Sequence, residues 1–377
     1  MSVELEGTRN SDSAAAVSPE RLEAALGKAT AALLAEMTPQ GHWIGELSSS
    51  ALSTATAIVA LVSINAQAHE RMISAGVRWL AEHANPDGGW GDTVRSKSNI
   101  STTALVWAAF GAARADAQFP EVVQRAQDWL DRAADYQPAG AMKERGPALA
   151  AAITDCYGSD RTFSVPILMT LALSGRLGAN GWQQIPALPF EVAILPPQVF
   201  GALQLPVVSY ALPALIAIGQ AIHHHHPTEE KFRRFLRDRL REPTLRALTK
   251  LRPENGGFLE ATPLTSFVTM ALAAIGRRDH LVAIRGAEFL CASVREDGSW
   301  PIDTNLATWT TTLAVKALAH QTDILSPEEK LTLREWLLSQ QFRTRHVYTN
   351  AAPGGWAWTP LPGGVPDADD TPGALLA

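Results

Sequence analysis

One recurring pattern limits what this chain can fold into. A helical stretch running into a glycine–aromatic turn occurs five times, ending at Trp43, Trp90, Phe258, Trp300 and Trp356. In each copy the apolar residues are spaced for one helix face, as Phe289, Leu290 and Val294 illustrate. The run then breaks at Asp-Gly, Asn-Gly or Pro-Gly, where glycine supplies the positive φ that the turn requires. The aromatic that follows is expected to fold back onto the helix end and pin it. Further apolar helices are expected over Ala51–Asn65, Thr102–Ala113, Leu264–Ile275 and Leu306–His320. Two helix starts are legible, Ser18-Pro19-Glu20 and Ser326-Pro327-Glu328-Glu329, the second with the glutamate of a capping box. No stretch sustains the two-residue alternation of a strand. The fold class read from this is all-α: helix-turn-helix units stacked as a solenoid or closed into an α/α barrel.

Composition narrows the function classes. The net charge of −6, from 32 basic against 38 acidic residues, gives no nucleic-acid footprint. Cys156 and Cys291 are too few for a disulfide framework and lack metal-ligand spacing, which suits a reducing, cytosolic setting. Met1–Val17 is polar, acidic and rich in Ser and Ala, reading as a disordered leader rather than a secretory signal. Eleven tryptophans against four tyrosines call for more than space filling.

Two segments depart from the repeat. Ile185–Ile222 holds a single charge, Glu191, and six prolines. It reads either as a buried helix pair or as an apolar plateau dipping into one membrane leaflet. His223–His226 reads as a solvated loop or helix terminus, because consecutive residues on a helix point apart and close no coordination sphere.

Near the C-terminus Asp367, Asp369 and Asp370 place three carboxylates within four residues. In a low-dielectric pocket they cannot all ionise cheaply, so one is driven to keep its proton and becomes a Brønsted acid among anions. The plainer reading is a helix cap, with Asp370 or Thr371 capping a final helix. A calcium loop is disfavoured by the absent glycine and distant glutamate.

These residues resemble the squalene–hopene cyclase family of class II triterpene cyclases. Asp367-Ala368-Asp369-Asp370-Thr371 is similar to its DxDD-T signature, and the glycine–aromatic turns to its QW motif. The usual glutamine of that motif is replaced by Met37, Ala84 and Val294, and is kept by Gln341 in the last copy. Gly181–Pro196 resembles the family's W-x-x-(V/I)-P-x-x-P-x-E segment, and Asn305–Leu318 its helix with an active-site tryptophan. Two departures are Thr310, where the family often has Asp, and Ser209-Tyr210-Ala211 in place of Trp-Ala-Arg.

The resemblance implies two α/α barrels, one inserted in the other. By position, 41–295 is the inserted barrel, and 18–40 with 296–377 is part of the catalytic one. It implies proton-initiated cyclisation of a squalene-like polyprene to a hopene-type triterpene. Asp369 is then the donor, Asp367 and Asp370 orient it, and Trp182 and Trp309 stabilise cations with their π faces. It implies no metal or other cofactor, attachment to one membrane leaflet on the cytoplasmic side, and a plateau at Leu205–Ile222. The chain stops within the helical PGALLA stretch, so the expectation is a fragment, or a barrel completed by a second chain or a homodimer, inactive alone. The alternatives are a class II diterpene cyclase and a non-catalytic toroid binding lipid or protein. A prenyltransferase β-subunit ranks lower, because neither cysteine sits in a zinc-site motif.

Overall fold

The computed structural model describes residues 18–137, 144–195, 199, 211–321, 323–347 and 349–377. Met1–Val17 lies outside them. The described chain is all-α, with one two-residue antiparallel pairing, Ser49–Ser50 with Trp300–Pro301. The helices are α1 (Pro19–Ala35), α2 (Ala51–Asn65), α3 (Glu70–Glu82), α4 (Ile100–Ala112), α5 (Pro120–Ala133), α6 (Arg145–Tyr157) and α7 (Arg161–Leu173). They continue as α8 (Leu212–His225), α9 (Lys231–Leu251), α10 (Thr262–Ala274), α11 (Leu281–Ala292), α12 (Ala307–Leu318), α13 (Pro327–Ser339) and α14 (Asp370–Leu376).

Burial sorts these helices into two layers. α2 is buried at Ala51 and continuously from Ser53 to Leu61, and α4 from Ser101 to Phe110, so neither has a polar face. A helix apolar all round belongs inside. α5 instead buries only Val123, Ala126 and Leu130, one stripe of an otherwise charged helix, and belongs outside. In space α2, α4, α7, α8 and α10 follow one another and close, α10 returning to α2. Around this ring α3, α5, α6, α9 and α11 pack on the outer sides, which is an α/α barrel. The layers meet closely: a Cβ at Gly286 of α11 would stand 2.2 Å from the Thr269 hydroxyl of α10.

The glycine–aromatic turns fasten the layers, and each fastening has two parts. The indole N–H donates to a carbonyl near the end of the helix before it: Trp43 to Leu33, Trp90 to Leu80, Trp300 to Leu290 and Trp356 to Leu337, at 2.6–2.9 Å. The backbone N–H of the same aromatic donates to a threonine hydroxyl on an inner helix, in all five copies at 3.0 Å. The partners are Thr311 for Trp43, Thr103 for Trp90, Thr265 for Phe258, Thr54 for Trp300 and Thr371 for Trp356. Thr103→Val is expected to leave the buried Trp90 N–H without an acceptor and to cost about 1–3 kcal/mol, while Thr103→Ser stays near wild type. Urea unfolding of the two variants checks this.

A smaller core gathers Trp43, Ala314, Leu318, Leu325, Leu333 and Leu337, with α1, α12 and α13 around it. α12 carries the same threonine fastening as α2, α4 and α10. Unlike α2 and α4, it leaves Trp309 44% and Leu313 49% exposed, an apolar stripe that no described helix covers. The expected caps form: Ser18 Oγ accepts from Arg21 N, and Ser326 and Glu329 complete the capping box.

Two expectations are corrected. Leu205–Tyr210 lies outside the described residues, and the rest of the expected plateau is buried inside the ring, α8 being covered from Ile216 to His223. An apolar run without a polar face is required of an inner barrel helix as much as of a membrane-facing one, and tertiary packing decided it. No described helix is long and apolar enough to cross a membrane. The histidines form the last turn of α8 as a terminus, but His223 is not solvated. It is 3% exposed and pairs with Asp238 at 2.9 Å, while His225 stacks on Trp182 with ring centroids 4.1 Å apart.

Candidate active site

The acidic run is held by a strap, residues 356–366, fastened to both cores. At its start Trp356 is fixed by Leu337 O and Thr371 Oγ1. The Trp358 carbonyl accepts from Trp309 N of α12 at 3.1 Å, and Thr359 Oγ1 donates to Asn305 Oδ1 at 2.9 Å. Gly363 N donates to the buried carboxylate of Glu260 at 2.7 Å. Gly363 must be glycine here, since a Cβ would lie 2.3 Å from the Gly257 carbonyl. The strap then returns to Trp356, whose carbonyl accepts from Asp367 N.

The three aspartates occupy different environments. Asp367 Oδ1 accepts the backbone N–H groups of Asp369 and Asp370 at 2.8 and 2.7 Å, so it turns the chain into α14. The expected cap is thus supplied by Asp367 rather than by Asp370 or Thr371, whose hydroxyl serves Trp356. Asp369 is exposed. Asp370 is 8% exposed, and its carboxyl is pushed up from 3.8 to about 7. Burial contributes most, followed by the Asp367 charge, a hydrogen bond to Asp367 that favours the protonated form, and the Asp369 charge. A carboxyl half-protonated near neutrality, bonded to a fixed carboxylate, can give up a proton without first having to acquire one.

Of the two expected aromatics, Trp309 is on α12, which packs against α14, and is partly exposed. Trp182 sits on the short turn Gly181–Gln184, packed on α6 and α7 and stacked on His225. These contacts place it in the five-helix ring, and the structure does not bring it to the aspartates. A largely apolar groove of about 900 Å³ runs between α12, α13 and α14, with Leu318, Leu333, Leu337, Trp356 and Leu375 in its walls. None of the three aspartates lines it, although Ala374, one turn beyond Asp370 on the same helix face, does.

A second pair of raised carboxyls went unseen in the sequence. Glu260 is 1% exposed and raised by burial, against the hydrogen bonds from Asn255, Gly363 and Thr304 that lower it. Leu259 and Glu260 both have positive φ, 57° and 52°, a strained pair of non-glycine residues. Asp303, bridged in antiparallel fashion to Ala261, is pushed up to about 7, by burial first and also by the Glu260 charge. A raised acid binds its proton more tightly folded than unfolded, so its contribution to stability falls as pH rises from about 3.8 to about 7. Asp303→Asn is therefore expected to raise the melting temperature relative to wild type more at pH 8 than at pH 5, checked by calorimetry at both.

Residues 26–171 match the family model described as the squalene-hopene cyclase N-terminal domain. This part of the chain, with α2, α4 and the first two tryptophan turns, is squalene–hopene cyclase-like. Among solved structures, abietadiene synthase from Abies grandis is similar at 17% identity and a TM-score of 0.48, over 94% of this chain and 39% of that one. A type II terpene cyclase from Scytonema, in complex with geranylgeranyl dihydroxybenzoate as substrate, is similar at 16% identity and a TM-score of 0.32. That likeness covers 74% of this chain and 81% of the other. The chain thus spans well under half the length of abietadiene synthase. No curated protein matches it.

Proposed function

We propose that this chain supplies the initiating acid of a class II cyclase, which protonates the terminal alkene of a linear polyprene and lets σ-bonds form across it. The observation that carries this reading is the Asp367–Asp369–Asp370 cluster, with Asp370 buried and retaining a proton near neutrality beside a fixed carboxylate. The trio acts as one acid: Asp370 keeps the proton, Asp367 anchors it, and the exposed Asp369 presents it to the alkene. The polyprene is squalene-like, as the match over 26–171 favours, and the product is of the hopene type. A prenyl diphosphate is the second reading, favoured by nothing in the carboxylate geometry itself.

The uncovered stripe Trp309–Leu313 and the open groove beside α14 support an incomplete chamber. In this reading residues 41–295 form an inserted barrel, while 18–40 and 296–377 belong to a catalytic barrel that further helices, from this or another chain, complete. Trp309 then faces the substrate. The test is incubation of the natively isolated protein with squalene and, separately, with geranylgeranyl diphosphate. Cyclic products from squalene are expected, and none from the Asp370→Asn protein. Turnover by the isolated 377-residue chain would contradict the incomplete chamber, and polycyclic products from the diphosphate alone would replace the squalene reading.

A further inference from the structure

The least explained surface of the molecule is the start of α9. Phe232 is 72%, Phe235 60% and Leu236 39% exposed. At 100° per residue these three occupy one arc of the helix, while the fully covered Arg237 and Thr244 mark the inward side. Arg237 is 2% exposed, pairs with Glu191 at 3.1 Å and donates to the Leu188 carbonyl, fixing α9 on the turn Phe190–Ile194. The helix therefore cannot roll to hide its phenylalanines without breaking a buried ion pair. On the neighbouring turn Ile194 and Leu195 are 44% and 42% exposed.

The charges around this arc are as unusual as its aromatics. Residues 231–241 carry six bases (Lys231, Arg233, Arg234, Arg237, Arg239 and Arg241) and one acid, in a chain whose net charge is −6. The acid, Asp238, is paired with His223, and Arg233 and Arg237 lie against Glu191. Lys231, Arg234 and Arg239 stay exposed beside the apolar arc, with Arg239 leaning over the Phe235 ring at 5.6 Å. Phenylalanine and leucine on one arc with long basic side chains at its edges match an interfacial helix. The rings enter the acyl boundary while the bases reach back to the headgroups.

We propose that the Phe232–Phe235–Leu236 arc, with Lys231, Arg234 and Arg239, docks this protein on an anionic lipid bilayer. Charge selects the partner: a neutral apolar surface, or an acid-poor protein face, would leave the basic rim without counter-charge. The proposal is independent of the acid chemistry above. It places the contact on an outer helix, apart from the buried α8.

The test is co-sedimentation of the 377-residue chain with vesicles of phosphatidylcholine alone, and of phosphatidylcholine with about a third phosphatidylglycerol. Binding is expected only to the anionic vesicles and is expected to weaken as salt rises. Phe232→Ser with Phe235→Ser should weaken it about tenfold or more, since each ring contributes on the order of a kcal/mol or more. Lys231→Ser with Arg239→Ser should weaken it and flatten its salt dependence. All four side chains are exposed, so the helical circular dichroism should be unchanged. Equal binding to both vesicle types, binding unaffected by the phenylalanine pair, or no vesicle binding at all would overturn the proposal. The last outcome, joined to a change in oligomeric state in the phenylalanine variant, would assign the arc to a protein contact instead.

Discussion

Asp370→Asn is expected to lower polyprene cyclisation by about 10²-fold or more, the range in which a positioned general acid contributes. The substitution keeps volume and the ability to pair with Asp367, but removes the carboxyl that retains a proton near neutral pH. Asp369 and Asp367 then remain as two carboxylates with no stored proton between them. Asp369→Asn is expected to cost as much activity by a different route. Asp370 still titrates near neutrality, but the exposed carboxyl that meets the alkene is gone. Asp367→Asn removes the nearest anion from Asp370 and the acceptor that turns the chain into α14. It is expected to lower the Asp370 pKa and activity together. Product analysis on the three variants, paired with their carboxyl titrations, separates storage from delivery. Full activity in Asp370→Asn would remove it from the mechanism.

Trp300→Ala is expected to have the largest effect on stability, about 3–5 kcal/mol, as for a buried large-to-small change. Trp300 is fully buried, its indole N–H donates to Leu290 O at 2.7 Å, and its backbone N–H is held by Thr54. Its ring also fills the space left open by Gly76 of α3, where a Cβ would meet it at 3.1 Å. The loss therefore opens a cavity between α2, α3 and α11 and strands the Leu290 carbonyl. Trp300→Phe keeps most of the volume and loses only the N–H, so a smaller cost of about 1–3 kcal/mol is expected. Urea denaturation gives both, and equal costs for Ala and Phe would mean that the hydrogen bond rather than packing dominates.

What could be read from the sequence was local. The tryptophan turns announce themselves through Asp-Gly and Pro-Gly steps, and the expected Ala51–Asn65 helix is the observed one, because its boundaries are set by neighbouring residues. The threonine partners were missed because they are not neighbours: Thr311 holds Trp43 from 268 residues away, and a threonine early in an apolar helix carries no mark of that task. The plateau expectation failed for the same reason, since α8 has the same composition whether it faces lipid or four other helices. In the acidic run the chemistry was legible and the geography was not. Adjacent carboxylates must repel, but only the fold decides that Asp370 turns inward and Asp369 outward. Glu260 and Asp303 are 43 residues apart in sequence and meet only when Ala261 bridges Asp303.

The central claim is that the aspartate cluster stores a proton at neutral pH. The direct measurement is a ¹³C NMR titration of the Asp370 carboxyl in the purified chain, assigned by its disappearance in Asp370→Asn. A midpoint near 7, falling when Asp367 is replaced by Asn, is the predicted result. A midpoint at the ordinary 3.8, unmoved by that replacement, would contradict it.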